Sequence, residues 1–520
     1  MAERLSETQL AQLSEFVAER MGFYFPRERW PDLERGMRSV ARAFDFEDTE
    51  SCIRWLVSSP VTQNQIETLA SHLTVGETYF FRERQSFQIL KERVLPELIR
   101  QRRGMDQRLR IWSAGCCTGE EPYSIAILLR EILPDLKDWR NTILATDINP
   151  HFLKKAAEGI YGEWSFRGVP PGTKDRHFAK KHGDRFEILP EIRRMVTFSY
   201  LNLAEDAYPS LLNNTNAMDV IFCRNVLMYF APERAKQVIR KFHLSLVEGG
   251  WLVVSPSEAS QILYSQFVTV NFPDVILYKK DSYKASAGVP YGLEEKPGPS
   301  LQPAFAFSFA SPPDPEPVIA EPQAEFVVTD AQEPDVVETE SVPYAETLGL
   351  YEQGRYQEAA QMLSALLTED PGNAKAMALL ARVHANQGNL TEATRWCEKA
   401  LAADKLNPAY HVLHATILQE LGSTQEAVRA LQRALYLDQN LVLAHFALGN
   451  IARQQGKFKE ATRHFENARI LLGAYAQEEI LPESEGMTAG RLREIMRSTN
   501  GTQVSAISRE QSFPRQTLKK

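Results

Sequence analysis

The chain is poor in cysteine, with five in 520 residues, and two of them, Cys116 and Cys117, are neighbours. So few cysteines cannot build a disulfide framework, and they indicate a reducing compartment, which we expect to be the cytoplasm. No cysteine and histidine spacing is that of a zinc site, so no metal is predicted. A run of 18 or more apolar residues is also missing, which argues against a membrane span. The polar, charged first residues argue against a secretory signal peptide.

Positive charge is not in excess, because 59 lysine and arginine residues stand against 67 aspartate and glutamate residues, which gives a net charge of −8. This acidic balance argues against a general nucleic-acid binder. A G-x-G-x-x-G motif is absent, and with it the usual cradle for the pyrophosphate of a dinucleotide. What the chain does have is the length of about three domains and 43% hydrophobic residues, enough to form cores.

Composition divides the chain into five regions. We predict an N-terminal helical domain over residues 1–75, then an α/β domain over 76–283, in which strand-like apolar runs alternate with helical ones. The segment 284–339 is rich in proline and glutamate and is expected to be a disordered tether. Residues 340–473 are repetitive, and 474–520 are predicted to form a short capping helix and a flexible tail.

The repetitive region has a period of 34 residues, set by Gly354, Gly388, Gly422 and Gly456, with an alanine five residues after each glycine. Small side chains at fixed positions let two helices approach closely, and a glycine can end the first of them. Four copies without a slip in register resemble the tetratricopeptide repeat. Such an array binds a protein or peptide on its concave face, and a purely structural spacer is the alternative.

The strongest functional signal is a glycine-bearing turn between two apolar runs. Residues 109–112 are a predicted buried strand, and Gly115 and Gly119 let the backbone turn sharply and approach a ligand closely. Pro122 suits the first turn of the helix that follows. Asp147 ends the next apolar run, where a carboxylate can accept hydrogen bonds from two ribose hydroxyls. The pattern fits S-adenosylmethionine, which has a ribose but no phosphate. An ordinary βαβ turn with a capping aspartate is the alternative for this segment alone.

The glycine turn belongs to a set of motifs within residues 5–280. The set consists of Thr74–Glu83, Ser113–Ser124, Ala145–Ile148, Leu201–Leu203, Val220–Phe230 and Gly249–Ser255. Together, and in this order, these motifs resemble the chemotaxis-receptor methyltransferases of the CheR family. One departure is Gly76, which stands where many members of that family have asparagine.

The resemblance implies a fold and an activity. The fold would be α/β, a Rossmann-like methyltransferase domain with an N-terminal helical domain and a small β insertion at about 160–196, followed by the all-α repeat array. The activity would be methyl transfer from S-adenosyl-L-methionine to glutamate side chains on the cytoplasmic helices of chemoreceptors, leaving S-adenosyl-L-homocysteine. In some members the β insertion grips a peptide at the receptor's C-terminus, and for this chain the sequence leaves that open.

The family's cofactor-binding positions can be transferred one by one onto this sequence. They are Gly76, Thr78, Arg82, Glu121, Asp147, Asn202, Leu203, Arg224 and Asn225. Arg82 and Tyr229 are expected nearest the reacting atoms. Arg82 would hold the carboxylate of the substrate or of the cofactor, unless it only pairs with a neighbouring glutamate on the surface. Tyr229 would orient the acceptor oxygen, unless it is only a packed aromatic at a strand end.

The chemistry agrees with this expectation. A glutamate side chain has a reference pKa of about 4.3, so near pH 7 it is already an ionised nucleophile. In-line attack on a sulfonium methyl then requires no general base and no metal, only two reactants held about 3 to 3.5 Å apart. Methylation of amines and bases usually relies on an Asn/Asp-Pro-Pro-Tyr turn after the fourth strand. Residues 223–225, Cys-Arg-Asn, occupy that place here and disfavour an N-methyltransferase.

The helix predicted within residues 27–46 has two different faces. Its apolar side chains fall on one side at about 100° per residue, and Arg35, Arg38 and Arg42 form a stripe away from them. A solvated basic face is one explanation of the stripe. Given the family resemblance, we favour the other, in which the stripe steers and registers the acidic, glutamate-bearing receptor helix.

Two other functions stay open at this point. One is a catalytically weak adaptor that binds the cofactor and works through its repeats, against which the retained site residues argue. The other is a carboxyl methyltransferase for a small molecule. The favoured prediction is a monomer whose partners are the cytoplasmic helical bundle of a chemoreceptor and an unidentified protein or peptide on the repeat array. It involves no nucleic acid and no insertion into a membrane.

Overall fold

A computed structural model of the chain describes residues 5–205, 207–281 and 342–482, followed by 484, 487–490, 492, 493, 495 and 496. The predicted tether at 284–339 lies outside these ranges, as does much of the predicted tail. None of the helices within them is long and apolar enough to cross a membrane.

Four helices form the N-terminal region: α1 (Glu7–Met21), α2 (Trp30–Ala43), α3 (Thr49–Ser58) and α4 (Gln63–Leu73). The first begins with a capping box, in which the Ser6 hydroxyl accepts the backbone N–H of Gln9 and the Gln9 side chain accepts the backbone N–H of Ser6. The apolar side of α2 is buried, as its spacing predicts, and it packs against α4. This packing directs the arginines of α2 to solvent.

The helices and strands of the α/β domain alternate along the chain, which is the pattern that the sequence predicts. The helices are α5 (Arg84–Ile89), α6 (Leu95–Arg102), α7 (Glu120–Ile132), α8 (Pro150–Glu158), α9 (Thr173–His177), α10 (Pro190–Arg193) and α11 (Pro232–Ser245). The strands are β1 (Arg108–Ala114), β2 (Arg140–Asp147), β3 (Ile160–Gly162), β4 (Phe178–Lys181), β5 (Arg185–Ile188), β6 (Val196–Tyr200), β7 (Met218–Phe222), β8 (Leu246–Val253), β9 (Val268–Phe272) and β10 (Val275–Lys279).

Seven of these strands form one sheet, in the order β6-β2-β1-β7-β8-β10-β9. The first five are parallel, and β10 runs antiparallel to both of its neighbours. Every residue of β1 and β7 is buried, because side chains cover both faces. Along β1, Leu109 and Ile111 belong to the core on one face, while Trp112 and Ala114 belong to the core on the other. The α/β fold class predicted from the sequence is therefore confirmed.

The predicted β insertion is a second, three-stranded antiparallel sheet in the order β3-β5-β4. An aromatic cluster joins it to the segment before α5. Phe80 stacks on Phe166 with ring centroids 5.2 Å apart and meets Tyr161 and Phe178 edge to face, each at 4.9 Å. The insertion is thus fixed directly to the motif that carries Arg82.

The repeats form eight helices in four antiparallel pairs. They are α12 (Val342–Glu352), α13 (Tyr356–Glu369), α14 (Ala374–Asn386), α15 (Leu390–Ala403), α16 (Pro408–Glu420), α17 (Thr424–Leu437), α18 (Val442–Gln454) and α19 (Phe458–Leu472). In each repeat, the glycine of the 34-residue period lies in the turn after the first helix. These four glycines have φ angles between 73° and 81°. A left-handed backbone favours glycine at these positions.

The array lies against the end of the large sheet at which the parallel strands begin. Arg108 at the start of β1 donates to the carbonyl of Gly388 at 3.3 Å. Arg140 at the start of β2 donates to the carbonyl of Leu421. At Gly354 a side chain would collide with Leu244 at the end of α11. Three successive repeat turns therefore contact the α/β domain.

The buried ion pair of Asp219 gives a test of this part of the fold. The Asp219 side chain is fully buried in β7, and its carboxylate accepts Arg102 Nη1 at 2.6 Å and the backbone N–H of Arg110 at 2.8 Å. Because Asp219→Asn leaves the Arg102 charge without its partner, we expect the free energy of unfolding in urea to fall by about 3 kcal/mol.

The matched control is Asp135→Asn, which breaks the more exposed Arg103–Asp135 pair. That loss should stay below about 1 kcal/mol. Equal losses in the two variants would contradict the assigned importance of the buried pair.

Candidate functional site

A cavity of about 1110 Å³, including its open part, lies at the carboxyl ends of β1, β2, β6 and β7. In parallel sheets this edge is the usual place of ligand sites. Eight of the nine predicted cofactor-binding residues line it, and so does Tyr229. The eight are Thr78, Arg82, Glu121, Asp147, Asn202, Leu203, Arg224 and Asn225. Residues from five separate motifs of the sequence therefore meet in one cavity.

Gly76 is the exception, because it is not among the residues that line the cavity. A Cβ atom at this position would lie 2.6 Å from the ring of Phe152, which does line it. The predicted contact of Gly76 with a cofactor stays a prediction, and the structure adds a steric role for this glycine. The glycine gives room to Phe152, and an asparagine in the same backbone would push this ring aside.

The glycine turn orients Asp147. Gly115 and Gly119 adopt φ angles of 79° and 92°, and Cys117 between them has φ 49°. In this conformation the N–H of Cys117 donates to Asp147 Oδ2 at 2.8 Å, and the N–H of Asn149 donates to Oδ1 at 2.8 Å. Burial raises the pKa of Asp147 to about 6, although these N–H groups favour the ionised form. Each carboxylate oxygen is held in place and keeps a lone pair for a ligand.

A buried guanidinium connects two glutamates beside this turn. The Arg224 side chain is 2% exposed and lies 3.2 Å from Glu121 Oε2 and 3.1 Å from Glu83 Oε2. The Ser113 hydroxyl donates to the other oxygen of Glu121 at 2.6 Å. Burial raises the pKa of Glu121, and Arg224 opposes that rise. Arg82 also acts electrostatically on Glu121 from this side of the cavity, so two guanidiniums balance the two carboxylates here.

Arg82 sits between two residues with left-handed backbones, Phe81 at φ 56° and Glu83 at φ 57°. Such conformations are unfavourable for side chains of this size and concentrate at functional sites. The Phe81 N–H is fixed by the hydroxyl of Ser124 at 3.0 Å. Arg82 donates to the backbone carbonyl of Glu77 at 2.7 Å, while Glu83 pairs with Arg224. The alternative of a simple surface salt bridge at Arg82 is therefore not what the structure contains.

The N-terminal helices close one side of the cavity. The N–H of Tyr24 donates to the carbonyl of Tyr229 at 2.8 Å, and Phe23 and Phe230 form an antiparallel bridge. The guanidinium of Arg29 lies 5.3 Å from the centre of the Tyr229 ring. Tyr24, Arg29 and Tyr229 all line the cavity. Sequence reasoning missed Arg29, which differs from the arginines of α2 only by preceding that helix.

The stripe of Arg35, Arg38 and Arg42 lies on the surface of α2 and does not line the cavity. Arg35 pairs with Asp32 at 3.4 Å, and Arg38 pairs with Glu34 at 2.8 Å. These exposed pairs within one helix are weak. The stripe thus remains available to a partner, and the simple explanation of a solvated face also remains consistent with the structure.

Sequence reasoning also missed Glu258, which holds the loop after β7. Its carboxylate accepts the backbone N–H groups of Asn225, Val226 and Met228 at 2.6, 2.9 and 3.1 Å. Asn225 has φ 57°, so this loop is another strained segment at the cavity. The signal was present in the sequence, because Ser255 and Glu258 form a capping box with the S-x-x-E spacing.

The environment of the thiols beside the cavity disfavours their thiolate forms. Burial raises the pKa values of Cys116 and Cys117 above the ordinary thiol value, so both stay protonated near pH 7. Within the described ranges, no group of three or more histidine, cysteine, aspartate and glutamate side chains could hold a metal ion. The arrangement is therefore suited to binding and orientation.

Comparison with known proteins agrees with this geometry. Residues 76–275 match the profile of the CheR methyltransferase, SAM binding domain, and residues 350–417 and 412–476 match tetratricopeptide repeat profiles. The chain is 30% identical over 268 residues to chemotaxis protein methyltransferase 2 of Vibrio cholerae, covering 52% of this chain and 91% of that protein. It is 38% identical over 218 residues to chemotaxis protein methyltransferase 1 of Pseudomonas aeruginosa, covering 41% of this chain and 77% of that protein. Among solved structures, MamA from Desulfovibrio magneticus RS-1 matches 25% of this chain and 73% of its own, with 22% identity and a TM-score of 0.24.

The role of Glu258 can be tested by hydrogen exchange. Glu258→Gln removes the charge and one of the two acceptor oxygens, so the loop 223–228 loses part of its anchoring. Since a hydrogen bond to a charged group contributes about 1.5 to 3 kcal/mol, exchange of the Asn225, Val226 and Met228 amides should accelerate at least about tenfold. Mass spectrometry of peptides from this loop measures the effect. Glu233→Gln, on the exposed start of α11, is the control and should change nothing there. Unchanged exchange in Glu258→Gln would contradict the anchoring role.

Proposed function

Because this chain belongs to the CheR family, as a protein-glutamate methyltransferase that uses S-adenosyl-L-methionine, we propose that it methylates glutamates on the cytoplasmic helices of a chemoreceptor. The observation that carries the proposal is the composition of the cavity lining. It contains Arg29 and Arg82 but neither histidine nor lysine, and its thiols are protonated. Such a lining suits an acceptor that is already an anion and requires no base to become a nucleophile.

The cavity fits the cofactor. Asp147 would accept hydrogen bonds from the ribose hydroxyls, and Asn202 and Leu203 would line the same side. When bound, S-adenosyl-L-methionine supplies a methyl group that its positively charged sulfur makes electrophilic.

Arg82 and Tyr229 are the proposed catalytic residues, and Arg29 joins them. The guanidinium of Arg82 would hold a carboxylate, of the substrate glutamate or of the cofactor, while the Tyr229 hydroxyl would orient the acceptor oxygen. Arg29 lies over the Tyr229 ring and adds a positive charge on the same side. These side chains would act by orientation, because holding reactants in line supplies much of the acceleration in such a transfer.

The basic stripe of α2 is the proposed contact for the receptor helix. Its members Arg35 and Arg38 are 77% and 54% exposed. The helix that carries them begins immediately after Arg29, which reaches the cavity. A glutamate-bearing helix could therefore meet the stripe and the cavity with neighbouring parts of its surface, and complementary charge would speed the encounter.

Methyl transfer to a receptor fragment tests the proposed function. We expect tritium from labelled S-adenosyl-L-methionine to appear on the fragment as base-labile esters.

In Arg35→Glu/Arg38→Glu, reversed charge should raise the KM for the fragment about tenfold at low salt, while affinity for S-adenosyl-L-homocysteine stays the same. Arg54→Glu/Lys236→Glu, which reverses two equally exposed charges elsewhere, is the matched control. No transfer despite intact cofactor binding would leave the adaptor function, and label on a free metabolite would indicate a small-molecule substrate.

The proposed ribose contact of Asp147 gives a prediction in pH. Its pKa is raised to about 6, so the carboxylate that accepts hydrogen bonds is lost as pH falls through this value. Affinity for S-adenosyl-L-homocysteine, measured by calorimetry from about pH 8 down to pH 5, should therefore decrease below pH 6. Asp147→Asn should bind more weakly at the upper end by about 1.5 to 3 kcal/mol and should lose this pH dependence. Identical profiles in the two proteins would refute the ribose contact.

A further inference from the structure

The inner face of the repeat array is formed by the first helices of the repeats. Within the described residues, α12 lies against α14 and α14 lies against α16, whereas the second helices of successive repeats lie farther apart. An array whose first helices are closer together curves towards them, so these helices form the concave side on which such arrays bind peptides.

The α/β domain of the same chain packs against apolar clusters to which these first helices contribute. The connection between β6 and β7 contributes two adjacent leucines from a stretch that we call the 209–216 segment. Leu211 is 6% exposed and belongs to the same buried apolar cluster as Leu379 of α14 and Leu413 of α16. Leu212 packs against the cluster that contains Phe446 of α18. The two leucines of the segment thus join two apolar clusters of the array.

A buried charge fixes the register of this contact. Glu420 is the last residue of α16, and its side chain is 6% exposed. Its Oε2 accepts Arg108 Nη1 at 3.2 Å and lies 3.9 Å from Arg110 Nη1, while its Oε1 accepts Asn216 Nδ2 at 3.0 Å. A carboxylate at the C-terminal end of a helix is unfavourable to the helix dipole. The two arginines and the amide of the α/β domain stabilise this buried carboxylate.

The other repeats do not share this arrangement. The positions that correspond to Glu420 at the 34-residue period are Glu352, Asn386 and Gln454. Glu352 is exposed, and the Asn386 amide donates to the Tyr351 hydroxyl within the array. The carboxylate in the third repeat is therefore specific to the contact with the α/β domain.

The 209–216 segment is stiff before it meets the array. The Ser210 N–H donates to the Thr215 hydroxyl at 3.0 Å, and the Thr215 N–H donates back to the Ser210 carbonyl at 3.1 Å. The Arg110 side chain holds the carbonyl of Asn214 at 3.1 Å and that of Asn216 at 3.0 Å. A loop with this many internal bonds loses little conformational entropy when its leucines are buried.

The same connection also forms part of the cavity wall. It begins with Asn202 and Leu203, which line the cavity. The Tyr208 hydroxyl donates to the Leu203 carbonyl at 2.9 Å, and the Tyr208 ring meets Trp112 edge to face at 5.3 Å. Only a few residues then separate Tyr208 from Leu211. The array and the cavity thus contact opposite ends of one short connection.

We propose that the partner of the array's concave face is the 209–216 segment of this chain, and that the contact holds Asn202 and Leu203 in place in the cavity wall. Sixty residues, 282–341, join the two partners covalently. An external peptide could displace the segment only with similar chemistry, namely two adjacent leucines followed by a cationic or amide group for Glu420. The inference does not depend on which protein is methylated.

Charge reversal on the array tests the proposal in the full-length protein. In Glu420→Lys the carboxylate is replaced by a cation that faces Arg108 and Arg110. We expect amide exchange in peptides covering residues 207–217 to accelerate at least about tenfold, because breaking a buried ion pair is strongly destabilising. Calorimetry should show an accompanying several-fold loss of affinity for S-adenosyl-L-homocysteine. Glu352→Lys makes the same change at the exposed, equivalent position of the first repeat and should alter neither measurement.

A second pair of variants guards against misfolding of the array. Leu211→Asp changes the other side of the contact and should produce the same two effects, whereas Leu406→Asp, at an exposed leucine of the array, should not. Far-UV circular dichroism must show unchanged helix content in all four. Unchanged exchange at residues 207–217 in both Glu420→Lys and Leu211→Asp would overturn the docking. Faster exchange with unchanged affinity for S-adenosyl-L-homocysteine would overturn the link to the cavity.

Discussion

The burial of the Arg224 guanidinium between Glu83 and Glu121 is the interaction on which the site depends. Its three members come from the segment before α5, from the first turn of α7 and from the loop after β7. Ser255 donates to Glu83 at 2.8 Å and adds a fourth segment. Because a buried charge is tolerated only when its partners stay close, this cluster keeps the four segments together. If these segments separated, Arg224, Glu83 and Glu121 would lose their partners while still buried. The ion pairs therefore keep the segments around the cavity together.

The same physical constraint operates at the other end of β1 and has a different result. There Arg108 and Arg110 are buried with Glu420 of the array. Asp219 in the neighbouring strand pairs with Arg102 and accepts the backbone N–H of Arg110. A parallel sheet buries its strands on both faces, so charges at its ends must find partners in whatever covers those ends. At the carboxyl end the partners form a ligand cavity. At the amino end the partner is the repeat array.

Local patterns in the sequence predict much of the fold and part of the site. The glycine turn, Pro122 and Asp147 follow from backbone geometry, and the 34-residue period follows from small residues at helix crossings. The contacts of Glu420 and Leu211 could not be predicted, because each joins residues more than 150 positions apart without a local signal. The steric constraint on Gly76 also has no local signal, since it comes from Phe152 in α8. Glu258 could have been found, because its capping box is a local pattern.

The location of the array has a consequence for control of the reaction. An acceptor that is already ionised gives no proton-transfer step to regulate, so the rate depends on how well two reactants are positioned. The walls of the cavity are then the natural point of control. Asn202 and Leu203 belong to one wall of the cavity, and the 209–216 segment follows them in the chain. The leucines of this segment pack against the array. Under the proposed docking, a ligand that competes for the array would act on positioning through a connection of about ten residues, without a long pathway of coupled contacts across the domain.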